Sequence, residues 1–189
     1  MKVVLHICCG VCAAGAVEAL ASQGHRVTGF FYNPNIHPAE EYQKRLDVAY
    51  RVAKELSFPL EAGPYKPDEW FSLTDALKEE PEGGRRCPVC YRLRLEKTCD
   101  YMVSCSADAF TTTLTISPHK SAKVINEIGK EIGGDKFLVR DFKKKDGFKK
   151  SVQLAKKWEL YRQHYCGCVY SIKYRSLTSF AIDIDKFLY

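Results

Sequence analysis

Nine cysteines occur among 189 residues, and six fall into three tight groups: Cys8-Cys9, Cys87-x-x-Cys90 and Cys166-x-Cys168. A thiolate is both a soft metal ligand and a nucleophile, so clustered thiolates point to metal binding, disulfide chemistry or both. Cys8 and Cys9 alone read equally as small buried core residues. Cys87-Pro88-Val89-Cys90 alone is half a zinc site or a redox pair, its two sulfurs brought together by a short hairpin. Together the two pairs supply four thiolates, enough for zinc or for an iron–sulfur cluster. Cys166-Gly167-Cys168 can close into a small strained disulfide ring, the labile and redox-active kind, or serve as a second half-site for metal. Cys99 and Cys105 lie in apolar helical context and read as core. Cys12, one helical turn beyond Cys8 and Cys9, reads as packing, with a reserve-ligand role as the alternative.

The remaining composition bounds the setting. Hydrophobic content of 46% and charged content of 28% are those of a water-soluble globular chain long enough for a real core. No window approaches the ~18 uninterrupted apolar residues of a membrane span. The N-terminal apolar run lacks the small-residue cleavage site of a secretory signal, so the expected compartment is a reducing cytoplasm, where cysteines serve metals and catalysis more than structural disulfides. Net charge is +6, concentrated at 140–150, where six basic residues face two acidic ones and two phenylalanines interleave. Such a strip suits a phosphate backbone with stacked bases, and equally a solvated protein face.

Several elements must position these groups. Lys2–Ile7 is a short apolar, β-branched run and reads as a buried strand; Val11–Ser22 carries helical spacing, and Val27–Tyr32 is a second strand ending at Asn33-Pro34-Asn35. This is a βαβ unit with a right-handed crossover. Further helices are expected at Pro38–Leu56, briefly within 63–86, and at Cys90–Ser104, Lys120–Ile132 and Ser151–Trp158. Further strands are expected at Ser57–Ala62, Ala109–Leu114 and Phe137–Val139, with a tail at Ser176–Tyr189. The order predicts an α/β, doubly wound (Rossmann-like or HUP-like), mostly parallel sheet with a C-terminal helical part. The whole of 1–189 reads as one domain, in which 63–104 is a loop-rich, helical, Cys-bearing insertion and 140–171 a basic segment bearing Cys-x-Cys. In such sheets ligands bind beyond the carboxyl ends of strands, and Cys8-Cys9 fall at the end of the first strand, with Gly10 allowing the turn.

The ordered motifs resemble one family. Leu5-His6-x-Cys8-Cys9-Gly10-x-Cys12, Phe31-Tyr32-Asn33-Pro34-Asn35-Ile36-His37-Pro38 and Glu41-Tyr42-x-x-Arg45 are similar to the QueH family. So are Gly84-Arg85-Arg86-Cys87-Pro88-x-Cys90-Tyr91-x-Leu93-Arg94, Thr111 to Lys120, Asp141 to Phe148 and Leu160 to Cys168. The resemblance runs in order from about residue 3 to 171. It implies an epoxyqueuosine reductase acting on tRNA whose wobble base carries epoxyqueuosine, removing the epoxide oxygen as water with two electrons and two protons. By position, Cys8, Cys9, Cys87 and Cys90 would bind a [4Fe-4S] cluster, with an additional iron ion as an option beside it, and Cys166 and Cys168 would form the redox-active pair. The electron donor is unidentified.

Deoxygenating an epoxide needs an electron source and a Lewis acid, and iron with an open coordination position supplies both. His119, His164, Tyr165 and Asp141 are the candidate proton donors. Arg85, Arg86, Lys143, Lys144, Lys145, Lys149 and Lys150 are the candidate tRNA contacts. Two other classes compete: a non-catalytic zinc-bound RNA-binding module, and a PP-loop-like ATP-dependent tRNA-modifying enzyme. The single-glycine turn after the first strand is poorly made for the nucleotide of the latter.

Overall fold

The computed structural model describes residues 1–144 and 146–171; Lys145 and the expected tail at Ser176–Tyr189 lie outside the described residues. Four strands, β1 (Lys2–His6), β2 (Arg26–Phe31), β3 (Leu60–Ala62) and β4 (Ala109–Thr112), form one sheet in the order β3-β2-β1-β4. Every pairing is parallel. The chain therefore steps outward from β1 to β3 and then returns across to β4. Strand order reverses at β1, and the crevice between the ends of β1 and β4 is where a ligand site is expected in such a sheet.

Helices cover both faces. On one side α1 (Gly10–Ala21) packs against α2 (Ala39–Glu55) and α6 (Gly147–Lys157). Their shared core includes Val3, Leu5, Ile7, Leu20, Val52 and Phe142. On the other side α4 (Arg86–Ser104) packs against α5 (Ala122–Gly133), β1 and β4, and a short α3 (Pro67–Thr74) flanks α4. That core takes Val4, Trp70, Leu95, Phe110 and Ile125. Val3 and Leu5 face one layer while Val4 faces the other, as the two-residue strand period requires. The fold is thus the expected doubly wound α/β architecture. The second half of the expected 63–104 insertion is α4, the main helical cover of its face.

Differences in the elements have local causes. β3 loses its first residues because Ser57 takes a φ of 52° to end α2, and Pro59 has no N–H to donate to a ladder. β4 stops at Thr112, whose hydroxyl accepts from the Leu114 N–H at 3.1 Å and starts a 3-10 turn over Thr113–Ile116. The expected strand at Phe137–Val139 is reduced to one parallel bridge between Phe137 and Phe110. There the Thr111 hydroxyl takes the Leu138 carbonyl at 2.9 Å in place of a backbone partner. α6 begins four residues before the expected Ser151 because Gly147 lets the chain pass Phe142, whose carbonyl oxygen lies 1.8 Å from where a Cβ would stand.

Candidate metal and redox site

Cys8 and Cys9 follow β1 directly. Cys9 is extended and caps α1, and Cys12 returns one helical turn later. The three sulfurs of Cys8, Cys9 and Cys12 lie within 4.8 Å of one another. Cys12 is therefore part of the thiol cluster, although its spacing had favoured packing. Gly10 is the first helical residue and has no positive φ. Its role is close approach, since a Cβ there would stand 2.7 Å from the Val48 carbonyl of α2.

Cys87 and Cys90 do not sit in a hairpin. Both lie in the first turn of α4, three residues apart and so on one face, with Pro88 tolerated because first-turn N–H groups have no helical partner. The Gly83 N–H donates to the Cys87 sulfur at 3.2 Å. Cys8, Cys87, Cys90 and Cys168 border or enter the core beneath α4, and Cys8 also borders the core beneath α1. Cys8 is thus the hinge between the two layers at the switch point. None of the nine cysteines, all of them among the described residues, is disulfide-bonded. Cys99 is half-buried against the α4 core, while Cys105, expected in the core, is exposed beyond the end of α4.

Cys8 is prepared to be anionic. Thiol donors from Cys12 and Cys9 hold its pKa well below the ordinary range against the opposing effect of burial, helped by the Lys120 charge and the Thr113 hydroxyl. Thr113, just past β4, accepts from the Cys8 N–H at 3.0 Å and donates to its sulfur at 3.3 Å. The Cys9 thiol is up at about 12: the Cys12 thiol opposes the rise, while its bond to Cys8 and burial drive it. Gln163 donates its side-chain amide to the Cys9 sulfur at 2.9 Å. Burial raises Cys90 to about 11. His6 is fully buried with its pKa down at about 4, through burial and then the Arg94 charge. It is a neutral spacer, bonded to Thr112 Oγ1 at 2.8 Å and the Tyr32 carbonyl at 3.1 Å.

The Cys166-Gly167-Cys168 segment is held by α2. Arg45 donates to the carbonyls of Cys166 and Tyr165, each at 3.0 Å, and pairs with Glu41 at 2.7 Å. The Gly167 carbonyl accepts from the His37 N–H at 2.8 Å, and Tyr161 donates to Glu41 at 2.7 Å. Cys166 lies close enough to Cys87, Cys90, Arg94 and Lys120 to act on their ionisation. Lys120 is pulled down by burial but pushed up further by Cys166 and Cys8. The structure brings Cys8, Cys9 and Cys12 together, and the charges of Cys8 and Cys166 both act on Arg94 and Lys120. Arg45, Arg94, Lys120, Thr113 and Gln163 were not singled out from their types. Their only signal was membership in the motif blocks.

The expected tRNA contacts divide. Lys144, Lys149 and Lys150 are exposed, and so is Arg85, which pairs with Glu80. Arg86 is placed differently: it is 1% exposed, donates to the carbonyls of Leu77, Lys78 and Glu80, and stacks on Tyr170. It shapes the loop before α4 and does not face a phosphate. Lys143 donates to the Lys120 carbonyl at 3.0 Å and pairs with Asp141. Phe142 is core, whereas Phe148 is 39% exposed. Of the candidate acids, Asp141 is committed to Lys143 and Tyr165 donates to the His37 carbonyl; His119 and His164 are exposed.

Residues 3–174 match the family described as Epoxyqueuosine reductase QueH. The chain belongs to that family. A relative of that name from Streptococcus pyogenes serotype M1 is 39% identical over 194 residues, covering 97% of this chain and 75% of its own. One from Thermotoga maritima is 36% identical over 178 residues, covering 90% of each chain. The family is one of oxidoreductases, as expected from the motifs. Among solved structures, a predicted subunit of tRNA methyltransferase from Methanocaldococcus jannaschii superposes with a TM-score of 0.57 at 16% identity, covering 93% of this chain and 88% of the other. The U34-tRNA thiolase NcsA from Methanococcus maripaludis, with its [4Fe-4S] cluster, gives 0.54 at 13% identity, covering 95% and 64%. At such identities the likeness concerns the fold. Among the described residues no helix is long and apolar enough to cross a membrane.

The donor set fits a metal–sulfur group. It is all thiol, and near it the Arg94 Nη2 is a buried N–H donor with nothing to bond, while the Trp70 indole N–H is directed at the Cys90 sulfur. An anionic sulfur group satisfies such donors, whereas a dry apolar site would leave them costly.

Proposed function

We propose that the protein reduces epoxyqueuosine to queuosine in the anticodon loop of tRNA, with Cys8, Cys9, Cys87 and Cys90 holding a [4Fe-4S] cluster. The observation that carries this is the thiol cluster of Cys8, Cys9 and Cys12 at the end of β1 in a chain of this family; the charges of Cys90, Cys166 and Cys8 acting on one buried cation, Arg94, support it. Bound there, a cluster would supply electrons, and an additional iron with an open position would supply a Lewis acid. Cys12 adds a fifth thiol beside Cys8 and Cys9, a local donor for an additional iron.

The chain's own groups do the rest. Thr113 and Gln163 orient the Cys8 and Cys9 sulfurs, and neutral His6 fixes the end of β1 without adding charge. Removing the epoxide oxygen as water consumes two electrons and two protons. Oxidising the Cys166/Cys168 dithiol to its disulfide releases the same number, so the pair balances one turnover. An external reductant must then restore the thiols. His119 and His164, with exposed rings, are the proton donors nearest to that requirement. Arg85, Lys144, Lys149 and Lys150 present exposed charge to the tRNA backbone, with Lys145 in the same basic run, and the anticodon loop offers the unstacked base that a crevice can admit. The cytoplasm, where thiols stay reduced, is the compartment in which this pair can cycle.

Anaerobic purification with iron, zinc and sulfide analysis, followed by an assay on epoxyqueuosine-containing tRNA, tests the proposal. About four irons and four sulfides per chain together with conversion of the tRNA are the expected results. One zinc, no sulfide and no product after cluster reconstitution would instead support the zinc-bound RNA-binding module.

A further inference from the structure

The described chain has three buried arginines. Arg45 pairs with Glu41, and Arg86 gives its Nη1 to three carbonyls while its Nη2, like that of Arg94, is buried with no hydrogen bond. Arg94 is 2% exposed and has no carboxylate partner among the described residues. Its Nε donates to the Cys90 carbonyl one turn earlier at 3.1 Å, its face lies against the Tyr91 ring, and its Nη2 is buried with no hydrogen bond. A guanidinium cannot shed its proton to escape such a site, and an uncompensated buried charge is strongly unfavourable. The ionisable groups that act on it are the sulfurs of Cys90, Cys166 and Cys8 and then the Tyr91 phenol. The buried Trp70 indole N–H is directed at the Cys90 sulfur.

We propose that Arg94 is the fixed counter-ion of the metal–sulfur group, giving its unpartnered Nη2 N–H to a sulfur of that group and raising its reduction potential. This rests on the reading that Cys8, Cys9, Cys87 and Cys90 hold an iron–sulfur cluster. Four thiolates make the bound group anionic, and reduction adds a further negative charge. A cation fixed in a low-dielectric crevice stabilises the more negative state most, and net charge and hydrogen bonds to sulfur are the protein's means of setting such a potential. Arg94 acts through a planar fork held at one end by the Cys90 carbonyl, so its other end is aimed and not merely nearby.

The test is a redox titration, monitored by electron paramagnetic resonance, of anaerobically reconstituted wild-type, Arg94→Gln and Arg94→Lys proteins. Iron and sulfide are counted on the same samples. With Gln, the reduced-to-oxidised ratio at the wild-type midpoint should fall at least tenfold, a downward shift of about 59 mV for one electron; Lys, which keeps the charge, should recover most of it. A fully loaded Arg94→Gln protein with an unchanged midpoint overturns the proposal. A wild-type protein that takes up no iron and sulfide overturns the cofactor reading beneath it, which is a separate result. Should Arg94→Gln fail to fold, pulsed resonance on reduced wild-type protein labelled with 15N-arginine decides. A 15N coupling that disappears in Arg94→Lys is expected, and no coupling in the wild type overturns the proposal.

Discussion

Arg45 on α2 donates to the carbonyl of Cys166, 121 positions along the chain, at 3.0 Å. That one guanidinium fixes the Cys166-Gly167-Cys168 segment to the layer that also carries Cys9 and Cys12, while Glu41 balances its charge in the core. The relationship makes the cysteine crevice a product of the sheet, both helical layers and the late segment together.

Replacing Arg45 with Ala should leave Glu41 buried and unpaired and release two carbonyls. A destabilisation of about 3–5 kcal/mol is expected for breaking such a pair from one side, read as a lower urea midpoint. Arg45→Lys keeps the charge but cannot span both carbonyls, so it should fall between the two.

The Cys166→Ser variant separates the chemical step from re-reduction. If the dithiol supplies the two electrons of a turnover, chemically reduced variant should lose at least tenfold in single-turnover product on modified tRNA at unchanged iron and sulfide content (an order-of-magnitude expectation). An undiminished single turnover would remove the dithiol from the chemical step and leave it a role in re-reduction.

Two glycines should not tolerate Ala. Gly167 has a φ of 100° and sits 2.9 Å, Cβ position to atom, from Arg45 Nη1; backbone strain of about 1–3 kcal/mol is expected. Gly10→Ala drives a methyl into the Val48 carbonyl, and overpacking of about 1–3 kcal/mol should be accompanied by weakened iron uptake, since Cys9 and Cys12 flank the site. Urea unfolding and iron analysis of each variant check both.

Neutralising the exposed Lys144, Lys149 and Lys150 should weaken tRNA binding and flatten its salt dependence, by roughly 2–3 in the slope of log K against log salt if each meets one phosphate. Lys143→Ala should change that slope little and instead loosen the turn at Lys120, because its ammonium is already spent on the Lys120 carbonyl and Asp141. Filter binding across a salt series distinguishes the two classes.

Much of this protein is local and so could be read from the chain. The βαβ start, the apolar period of β1 and β2, the position of Cys8 and Cys9 at a strand end and the helix carrying Glu41 and Arg45 follow from side-chain periodicity and breakers, which act over a few residues. The motif order was enough to indicate the family. What spacing could not give was depth and direction. Arg85 and Arg86 are adjacent and identical in type, yet one is exposed and the other is locked to three carbonyls. Phe142 and Phe148 share a basic context, yet only the first is core. Cys12 reads as packing until the first turn of α1 brings its sulfur to within 4.8 Å of Cys8 and Cys9. Arg94 looks like an ordinary helical charge until the packing of α4 against the sheet buries it. Burial, and the electrostatics that burial amplifies, arise from contacts between residues far apart in sequence. Composition and spacing therefore determined which chemistry the chain carries, and the tertiary structure decided which groups face one another to perform it.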